Sequence, residues 1–220
     1  MKFVSFETID SVTFEKEIER TNGEPQMRSR VRLTKTLLDT HPADTIHIDA
    51  MSVVGLGRPM DWPRTIVVGI SIGLALKLVL KAVVLPALAL PAINPTYHYL
   101  VGNTRALLQI LPVMILVGGV GEEILWRGLL FAVLRSCLRR QRWRSPIVVL
   151  VSSVLFAAAH YADQGVPGVI QASFTGTLFG TLYAIRGDIW ASVVAHATYD
   201  VAAILIIYFD WEVRLAQSFL

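Results

Sequence analysis

Residues 118–128 read GGVGEEILWRG and place three ionisable side chains, Glu122, Glu123 and Arg127, inside the apolar run 106–138. On insertion scales a charged side chain at the centre of a membrane helix costs about 2.5–3.5 kcal/mol. Such residues are therefore rare in membrane helices, and they usually face the interior of a bundle. The stretch predicts a buried polar site on a membrane-spanning helix.

The spacing within this stretch separates the two carboxylates. Glu123 and Arg127 are four residues apart, so on an α-helix they share a face and can pair. Glu122 lies about 100° round the helix from Glu123. One carboxylate thus has a partner on its own helix, and its neighbour is left available for chemistry. A buried ion cluster that only fixes helix packing is the structural alternative.

The composition indicates a polytopic membrane protein. Of 220 residues, 54% are hydrophobic and 17% are charged, with a mean hydropathy of +0.54. Soluble domains carry about 25% charged residues. The net charge is only +3, and the basic residues concentrate in positions 1–65 and 135–144. We interpret these clusters as signals of membrane topology and expect no nucleic-acid partner.

The sequence predicts two parts. Residues 1–54 are polar and form an extension that we expect to be cytosolic, without a signal peptide. Residues 3–6 and 45–48 are candidate short strands, residues 15–20 a candidate helical turn or two, and His41 and His47 are surface residues. Residues 55–220 form the membrane domain, in which the single cysteine, Cys137, excludes an internal disulfide.

The membrane domain is predicted to be an all-α bundle of about five transmembrane helices. A loop of five arginines between the second and third spans is cytoplasmic by the positive-inside rule, which agrees with a cytoplasmic N-terminus. The second span is longer than a bilayer requires, so it tilts, bends near Pro112 or projects from the membrane. Residues 161–168 form a polar outer loop. The predicted spans are 66–90, 106–138, 146–162, 169–185 and 189–209.

Lysines and glycines within the spans each have two interpretations. Lys77 and Lys81 share a face of the first span, where they either reach the membrane surface, lie against the bundle or attract an anionic end of a substrate. Gly118, Gly119 and Gly121 thin the second span for a neighbouring helix or for a substrate. In the fourth span, the spacing of glycines 176 and 180 is typical of close helix packing.

Two further polar sets lie in the later spans. His160 ends the segment FAAAH, and His196 and Asp200 lie four apart in HATYD, on one helix face. Counted from the predicted membrane edge, Glu122 and His160 are roughly 20 Å deep, but His196 is only about 10 Å deep. The topology permits these groups to converge, provided that helix tilt and side-chain reach absorb this difference.

These residues carry a family resemblance. EEILWRG fits an EExxxR motif, FAAAH fits FxxxH, and HATYD fits HxxxN/D. Three motifs in this order resemble the CAAX protease and bacteriocin-processing (CPBP) family of intramembrane proteases, which includes the type II CAAX prenyl endopeptidases. The resemblance covers residues 55–209 and implies an all-α membrane bundle.

The resemblance also implies roles for the residues. Glu122 is similar to the family's catalytic glutamate, which deprotonates a water that attacks a peptide carbonyl. His160 orients that water or shuttles the proton, and His196 and Asp200 lie near the developing oxyanion. Glu123 and Arg127 support the helix face.

Two points stay open within this resemblance. The last motif position is often Asn, which can donate a hydrogen bond, whereas Asp200 as a carboxylate only accepts. Asp200 is therefore either protonated or orients His196. We expect no required cofactor, but Glu122, His160 and His196 would also make a three-ligand zinc set with an open position.

The expected function is an intramembrane endopeptidase acting on a membrane-associated or lipidated peptide or protein, with membrane lipid around it. The small size and absent signal peptide favour a prokaryotic inner membrane. Intramembrane Glu and His also mark proton pathways, so a transporter or proton relay is one alternative. The other is a non-catalytic immunity or scaffold protein of the same fold. The Glu122→Gln substitution discriminates the enzyme from both.

Overall fold

A computed structural model describes the helical residues 54–59, 61–138 and 143–218 and the backbone of residues 12–21 and 24–33. The chain divides into two compact units, Met1–Ala50 and Met51–Leu220. The predicted strands 3–6 and 45–48 and the predicted surface residues His41 and His47 lie outside the described residues. The division of roles at residue 54 stays a prediction.

The first unit contains an antiparallel pair of strands, β1 (Val12–Thr21) and β2 (Glu24–Leu33). The prediction of a helical turn over residues 15–20 is wrong, because these residues belong to β1. The register sets Glu15 opposite Arg30 and Glu17 opposite Arg28. The backbone partners of residues 15–20 thus lie in residues 25–30, outside the short segment on which the helical prediction was based.

The second unit is helical, and three of its described helices, α1, α2 and α5, are long and apolar enough to cross a membrane. The predicted fold class, an all-α membrane bundle, is therefore confirmed, while the count of five spans stays a prediction. A shorter apolar helix, α3, and the long helix α4 lie between them, and a short helix, α6, ends the described chain. The helices are α1 (Trp62–Ala87), α2 (Thr104–Cys137), α3 (Arg144–Ala159), α4 (Tyr161–Arg186), α5 (Trp190–Tyr208) and α6 (Glu212–Gln217).

Side-chain caps begin the first two helices. The Asp61 carboxylate accepts a hydrogen bond from the Arg64 backbone N–H, and the Asn103 side chain accepts one from that of Ala106. Each cap satisfies a backbone donor that the first helical turn leaves without a partner. Both helices consequently start before the apolar residues that the sequence prediction used as their first positions.

The α2 helix is wider than a regular α-helix at its centre. After Pro112, π-helical hydrogen bonding runs over Met114–Glu122 and again over Ile124–Leu130. Proline removes a backbone donor and disturbs the regular ladder, and π-helical turns often occur at functional sites. Glu122, Glu123 and Arg127 lie in or beside these two segments.

The predicted outer loop over residues 161–168 is wrong in part, because helical hydrogen bonding continues on both sides of a single break. At Gly165 the backbone adopts φ 59° and ψ −155°, a conformation that is essentially restricted to glycine. His160 ends α3 and directly precedes α4. The chain thus turns within a few residues, which keeps His160 close to the bundle.

Glycines allow α5 to contact its neighbours closely. A Cβ atom on Gly69 of α1 would lie 2.6 Å from the Val194 Cβ, and one on Gly119 of α2 would lie 2.7 Å from the Ala197 Cβ. In α4, a Cβ on Gly176 would lie 3.1 Å from the Ser153 Cα of α3. The predicted close packing at Gly176 is confirmed, and α5 lies between α1 and α2 with its polar residues enclosed.

Candidate active site

The centre of the site is a buried ion pair on α2. An Arg127 NH1 group donates to Glu123 Oε1 over 2.7 Å, with the side chains 1% and 0% exposed. The other guanidinium nitrogen donates to the backbone carbonyls of Thr175 and Gly176 on α4. The predicted i,i+4 pair is therefore confirmed, and it also ties α2 to α4. The supporting role of the two residues stays a prediction.

Aromatic rings surround this pair. The Arg127 guanidinium lies 4.8 Å from the ring centroid of Phe156 and 5.8 Å from that of Phe179. The same two rings contact His196, at centroid distances of 6.1 and 5.4 Å. Rings on both sides exclude water from the pair, and a water-poor setting strengthens its electrostatic interactions.

His196 connects the ion pair to the remaining acidic residues. Its Nδ1 donates to Glu123 Oε1 over 2.8 Å. Its Nε2 lies 3.9 Å from Glu122 Oε2 and 3.7 Å from Asp200 Oδ2. A carboxylate that holds Nδ1–H fixes the orientation of the ring. Nε2 is thereby directed to the space between Glu122 and Asp200.

His160 has a defined tautomer. Its Nδ1 lies 2.8 Å from the carbonyl oxygen of Phe156, and the His160 and Phe156 ring centroids are 4.5 Å apart. A carbonyl oxygen only accepts hydrogen bonds, so Nδ1 carries the proton. In the neutral ring, Nε2 is then free to accept a proton.

A cavity of about 720 Å³ unites these groups: Glu122, His160, His196 and Asp200 all line it. The Glu122 side chain is 32% exposed and that of Asp200 is 19% exposed. Tyr97 closes part of the cavity from the loop between α1 and α2. Burial, and next the charge of Asp200, raise the pKa of the Tyr97 phenol, which stays a neutral hydrogen-bond donor.

The depth mismatch predicted for His196 is absent because its helix does not start at a membrane edge. Ile189, just before α5, is fully buried and packs in one cluster with Phe131 of α2 and Val149 of α3. Glu123 and His196 lie eight and seven residues from that cluster along their helices. Glu123 and His196 therefore lie at similar distances along their helices from the same buried cluster, although their distances from the predicted helix ends differ.

The predicted zinc ligands share the cavity lining but do not form a ligand cluster. Across residues 54–59, 61–138 and 143–218, no three His, Cys, Asp or Glu side chains are arranged to hold a metal ion. Glu122 Oε2 and His196 Nε2 are 3.9 Å apart. The His160 ring is oriented by the contact of its Nδ1 with the backbone carbonyl oxygen of Phe156. Metal dependence stays a prediction that chelation can test.

Sequence reasoning missed several polar residues of the cavity. Lys77 donates to the Gln171 side chain over 3.1 Å, and Tyr199 donates to the same oxygen over 2.9 Å. Lys81 pairs with Glu212 of α6 over 2.6 Å. Of the interpretations given for the two lysines, packing against the bundle is confirmed, because both are buried. Gln171, Tyr199 and Glu212 gave no local signal, because their partners lie on other helices.

The comparison with protein families agrees with the three motifs. Residues 104–202 match the family model of the Rce1-like type II CAAX prenyl endopeptidases. The predicted resemblance to CAAX proteases is thus confirmed over a little under half of the chain. The matched segment runs from the start of α2 into α5 and contains all six predicted site residues. No curated protein and no solved structure matches the chain.

The Rce1-like match and the apolar helices together have two consequences. They indicate an integral membrane protein, and they relate it to a family of CAAX intramembrane peptidases. The match covers α2, α3, α4 and most of α5, and it leaves α1 and α6 outside. The lysines and Glu212 at the other side of the cavity are therefore features of this chain beyond the matched segment.

Proposed function

We propose that the protein is an intramembrane endopeptidase that hydrolyses a peptide bond in a membrane-associated or lipidated substrate. The observation that carries this proposal is the contrast between two adjacent carboxylates. Glu123 is fully buried and holds Arg127 and His196, whereas Glu122 is partly exposed and lines the cavity. Glu122 can therefore contact both water and a peptide that enters the same cavity.

Glu122 acts as the general base in the proposed reaction. Its carboxylate takes a proton from a water in the cavity, and the resulting hydroxide attacks the peptide carbonyl. The protonated Glu122 then gives this proton to the peptide nitrogen as the C–N bond breaks, which releases an amine and a carboxylic acid and returns Glu122 to its carboxylate form. Burial weakens the solvation of a carboxylate and makes it a better proton acceptor. The neutral Nε2 of His160 holds the same water from a second direction, and no required metal takes part.

His196 stabilises the charge that develops on the carbonyl oxygen. Glu123 holds its Nδ1, so the protonated ring donates from Nε2 to the oxyanion. Asp200 lies 3.7 Å from Nε2 and favours the protonated ring. As a carboxylate it cannot donate to the oxyanion itself. We therefore assign Asp200 to the charge and orientation of His196, and Glu123 and Arg127 to its position.

The proposal is tested with Glu122→Gln, which keeps the size of the side chain and removes its basicity. Loss of a general base costs about 10²–10⁴-fold in rate. We expect the purified variant to lose cleavage of a prenylated peptide by at least that factor while its thermal unfolding in detergent stays unchanged. Mass spectrometry of the peptide products measures the cleavage.

A matched control shows whether the loss is specific to this carboxylate. Asp163 also lines the cavity, and its exposed side chain makes no contact with the four groups of the proposed reaction. Asp163→Asn removes one negative charge in the same way and should retain wild-type cleavage. Full activity in Glu122→Gln would exclude the glutamate-activated mechanism.

We further propose a prokaryotic cell membrane as the location, with the N-terminus in the cytoplasm. The support is the arginine cluster that follows α2, since basic loops concentrate on the cytoplasmic side. In right-side-out vesicles, an N-terminal epitope should resist added protease and become sensitive only after lysis. An epitope that is digested in intact vesicles would reverse this orientation.

A further inference from the structure

Two lysines of α1 line the same cavity, but only one of them forms an ion pair with a described residue. Lys81 pairs with Glu212 over 2.6 Å and also donates to the backbone carbonyl of Ala92. Lys77 lies one turn earlier on the same face and is 8% exposed. Among the described residues, no carboxylate forms an ion pair with Lys77.

The contacts of Lys77 are neutral. Its ammonium group donates to Gln171 Oε1 over 3.1 Å and lies 4.6 Å from the ring centroid of Tyr199. An ammonium group has three N–H donors, and the described side chains accept one of them. The Tyr199 hydroxyl donates to the same Gln171 oxygen, which fixes the acceptor in place. Two donors of Lys77 are thus left for a ligand.

A buried cation without a direct ion-pair partner is unfavourable, because burial removes the water that stabilises its charge. Asp200 lies close enough to act on Lys77 through space, but its Oδ2 lies beside His196 Nε2 at 3.7 Å. Glu212 makes its direct contacts with Lys81 and with the Asn94 backbone N–H. An anionic group brought by the substrate would supply a direct partner.

We propose that Lys77 binds the C-terminal carboxylate of the peptide substrate and so defines an anion subsite in the cavity. This inference rests on the proposed peptidase function and names the end of the peptide that the cavity recognises. A carboxylate can accept both open N–H groups of Lys77 in the charge-assisted hydrogen bonds that are strongest in proteins. The neighbouring Gln171 amide and Tyr199 ring position the ammonium group without neutralising it.

The subsite lies in the same cavity as the proposed general base. Lys77 packs on Tyr199, and the next residue, Asp200, lines this cavity together with Glu122. Fixing one end of a peptide at Lys77 reduces its freedom and helps to orient the rest of the peptide for attack.

The test compares two forms of one probe, a fluorescent peptide with an S-farnesyl cysteine followed by three residues. One form ends in a free carboxylate and the other in a carboxamide. A hydrogen bond to a charged group corresponds to a ratio of about 10–100-fold. We expect the wild-type protein to favour the free acid by this factor, mainly through KM.

Variants at Lys77 then identify the residue responsible. Lys77→Met keeps the length of the side chain and removes the charge, so the acid-to-amide ratio should fall to about one. Lys77→Arg keeps the charge and should retain most of the preference. Both probes are measured with the same variant. A partial loss of folded protein therefore lowers both activities equally and leaves their ratio unchanged. An unchanged ratio in Lys77→Met, or no preference in the wild type, would overturn the subsite.

An acidic side chain is the other source of a carboxylate. A third probe, an amide with Glu as its last residue, separates the two sources. We expect it to bind as weakly as the simple amide. Binding equal to that of the free acid would overturn the assignment to the chain terminus.

Binding by the inactive Glu122→Gln protein separates this inference from the proposed function. Fluorescence polarisation should give the same acid-to-amide ratio in dissociation constants. A retained ratio without any wild-type cleavage would uphold the subsite and reject the peptidase. Cleavage that depends on Glu122 but shows a ratio of one would reject the subsite alone.

Discussion

Two buried carboxylates, Glu123 and Glu212, are held in nearly the same way but do different work. Each uses Oε1 to accept from two donors, with a cation at 2.7 Å for Glu123 and 2.6 Å for Glu212. In each, Oε2 has no hydrogen-bond partner among the described residues. The local chemistry is alike, so the difference comes from where the partners lie in the chain.

The Glu123 cluster, which comprises Glu123, Arg127 and His196, is formed by one local pair and one distant histidine. The Glu212 cluster, which comprises Glu212, Lys81 and Asn94, joins three separate parts of the chain. The first cluster orients an imidazole in the cavity. The second fastens α6 and the loop after α1 to the cavity wall. Buried ion pairs thus serve both orientation and closure in one bundle.

The largest expected effect is on stability when Arg127 is replaced by Met. The change leaves Glu123 buried without its cation, and breaking one partner of a buried pair costs roughly 3–5 kcal/mol. Two carbonyl contacts to α4 are lost as well. Denaturant unfolding in detergent micelles measures the free energy of unfolding.

Arg135→Met is the matched control for that substitution. Arg135 lies on the same helix, and among the described residues its guanidinium lies against the rings of Phe131 and Tyr183, without a buried carboxylate partner. A cation–π contact near the surface contributes about 0.5–1 kcal/mol. Equal destabilisation by the two variants would show that the Glu123 cluster has no special weight.

A smaller effect is expected from the Glu212 cluster in a double-mutant cycle. Lys81→Met and Glu212→Leu should each destabilise the protein, and the double variant should cost less than their sum. The expected coupling is about 1–3 kcal/mol, because each single change strands a buried charge and the double change strands none. Thermal and denaturant unfolding of the four proteins provide the cycle. Additive costs would mean that Lys81 and Glu212 do not stabilise one another.

The smallest effect is expected from metal removal. If both clusters and the proposed base act through protein groups alone, dialysis against EDTA should change cleavage by less than about twofold. A catalytic metal would instead contribute several kcal/mol to the transition state. A large loss of activity that added zinc restores would assign Glu122, His160 and His196 as ligands.

Local patterns predicted the Glu123–Arg127 pair but not its contact with His196, and the reason is geometric. Glu123 and Arg127 are neighbours on any helix, and an apolar surrounding leaves them little choice but to pair. The motifs around His160 and Asp200 were visible for the same reason. The assembly of the site could not be predicted from local patterns, since it depends on how α2, α3 and α5 pack against one another.

Two other features of the fold were not predicted correctly from single segments of the sequence. Residues 15–20 read as a helical turn, although the Asn22-Gly23 pair that follows β1 is a strong hairpin signal. Gly165 and Pro167 read as a loop, whereas the structure accommodates them within α4 at one break. In α4, neighbouring backbone hydrogen bonds overrode a local propensity, as tertiary context commonly does, whereas the hairpin agrees with a turn signal that lies outside residues 15–20.

The sequence by itself determined that this is a helical membrane protein with an ion pair at Glu123 and Arg127 and with polar motifs in three helices. These properties follow from hydrophobicity and from helical spacing, which act over a few residues. Only the tertiary structure decided that His196 faces Glu122, that Lys81 forms an ion pair with Glu212 and that Lys77 forms none with the described residues. Burial and pairing between distant residues depend on how the helices pack, and no local pattern encodes that arrangement.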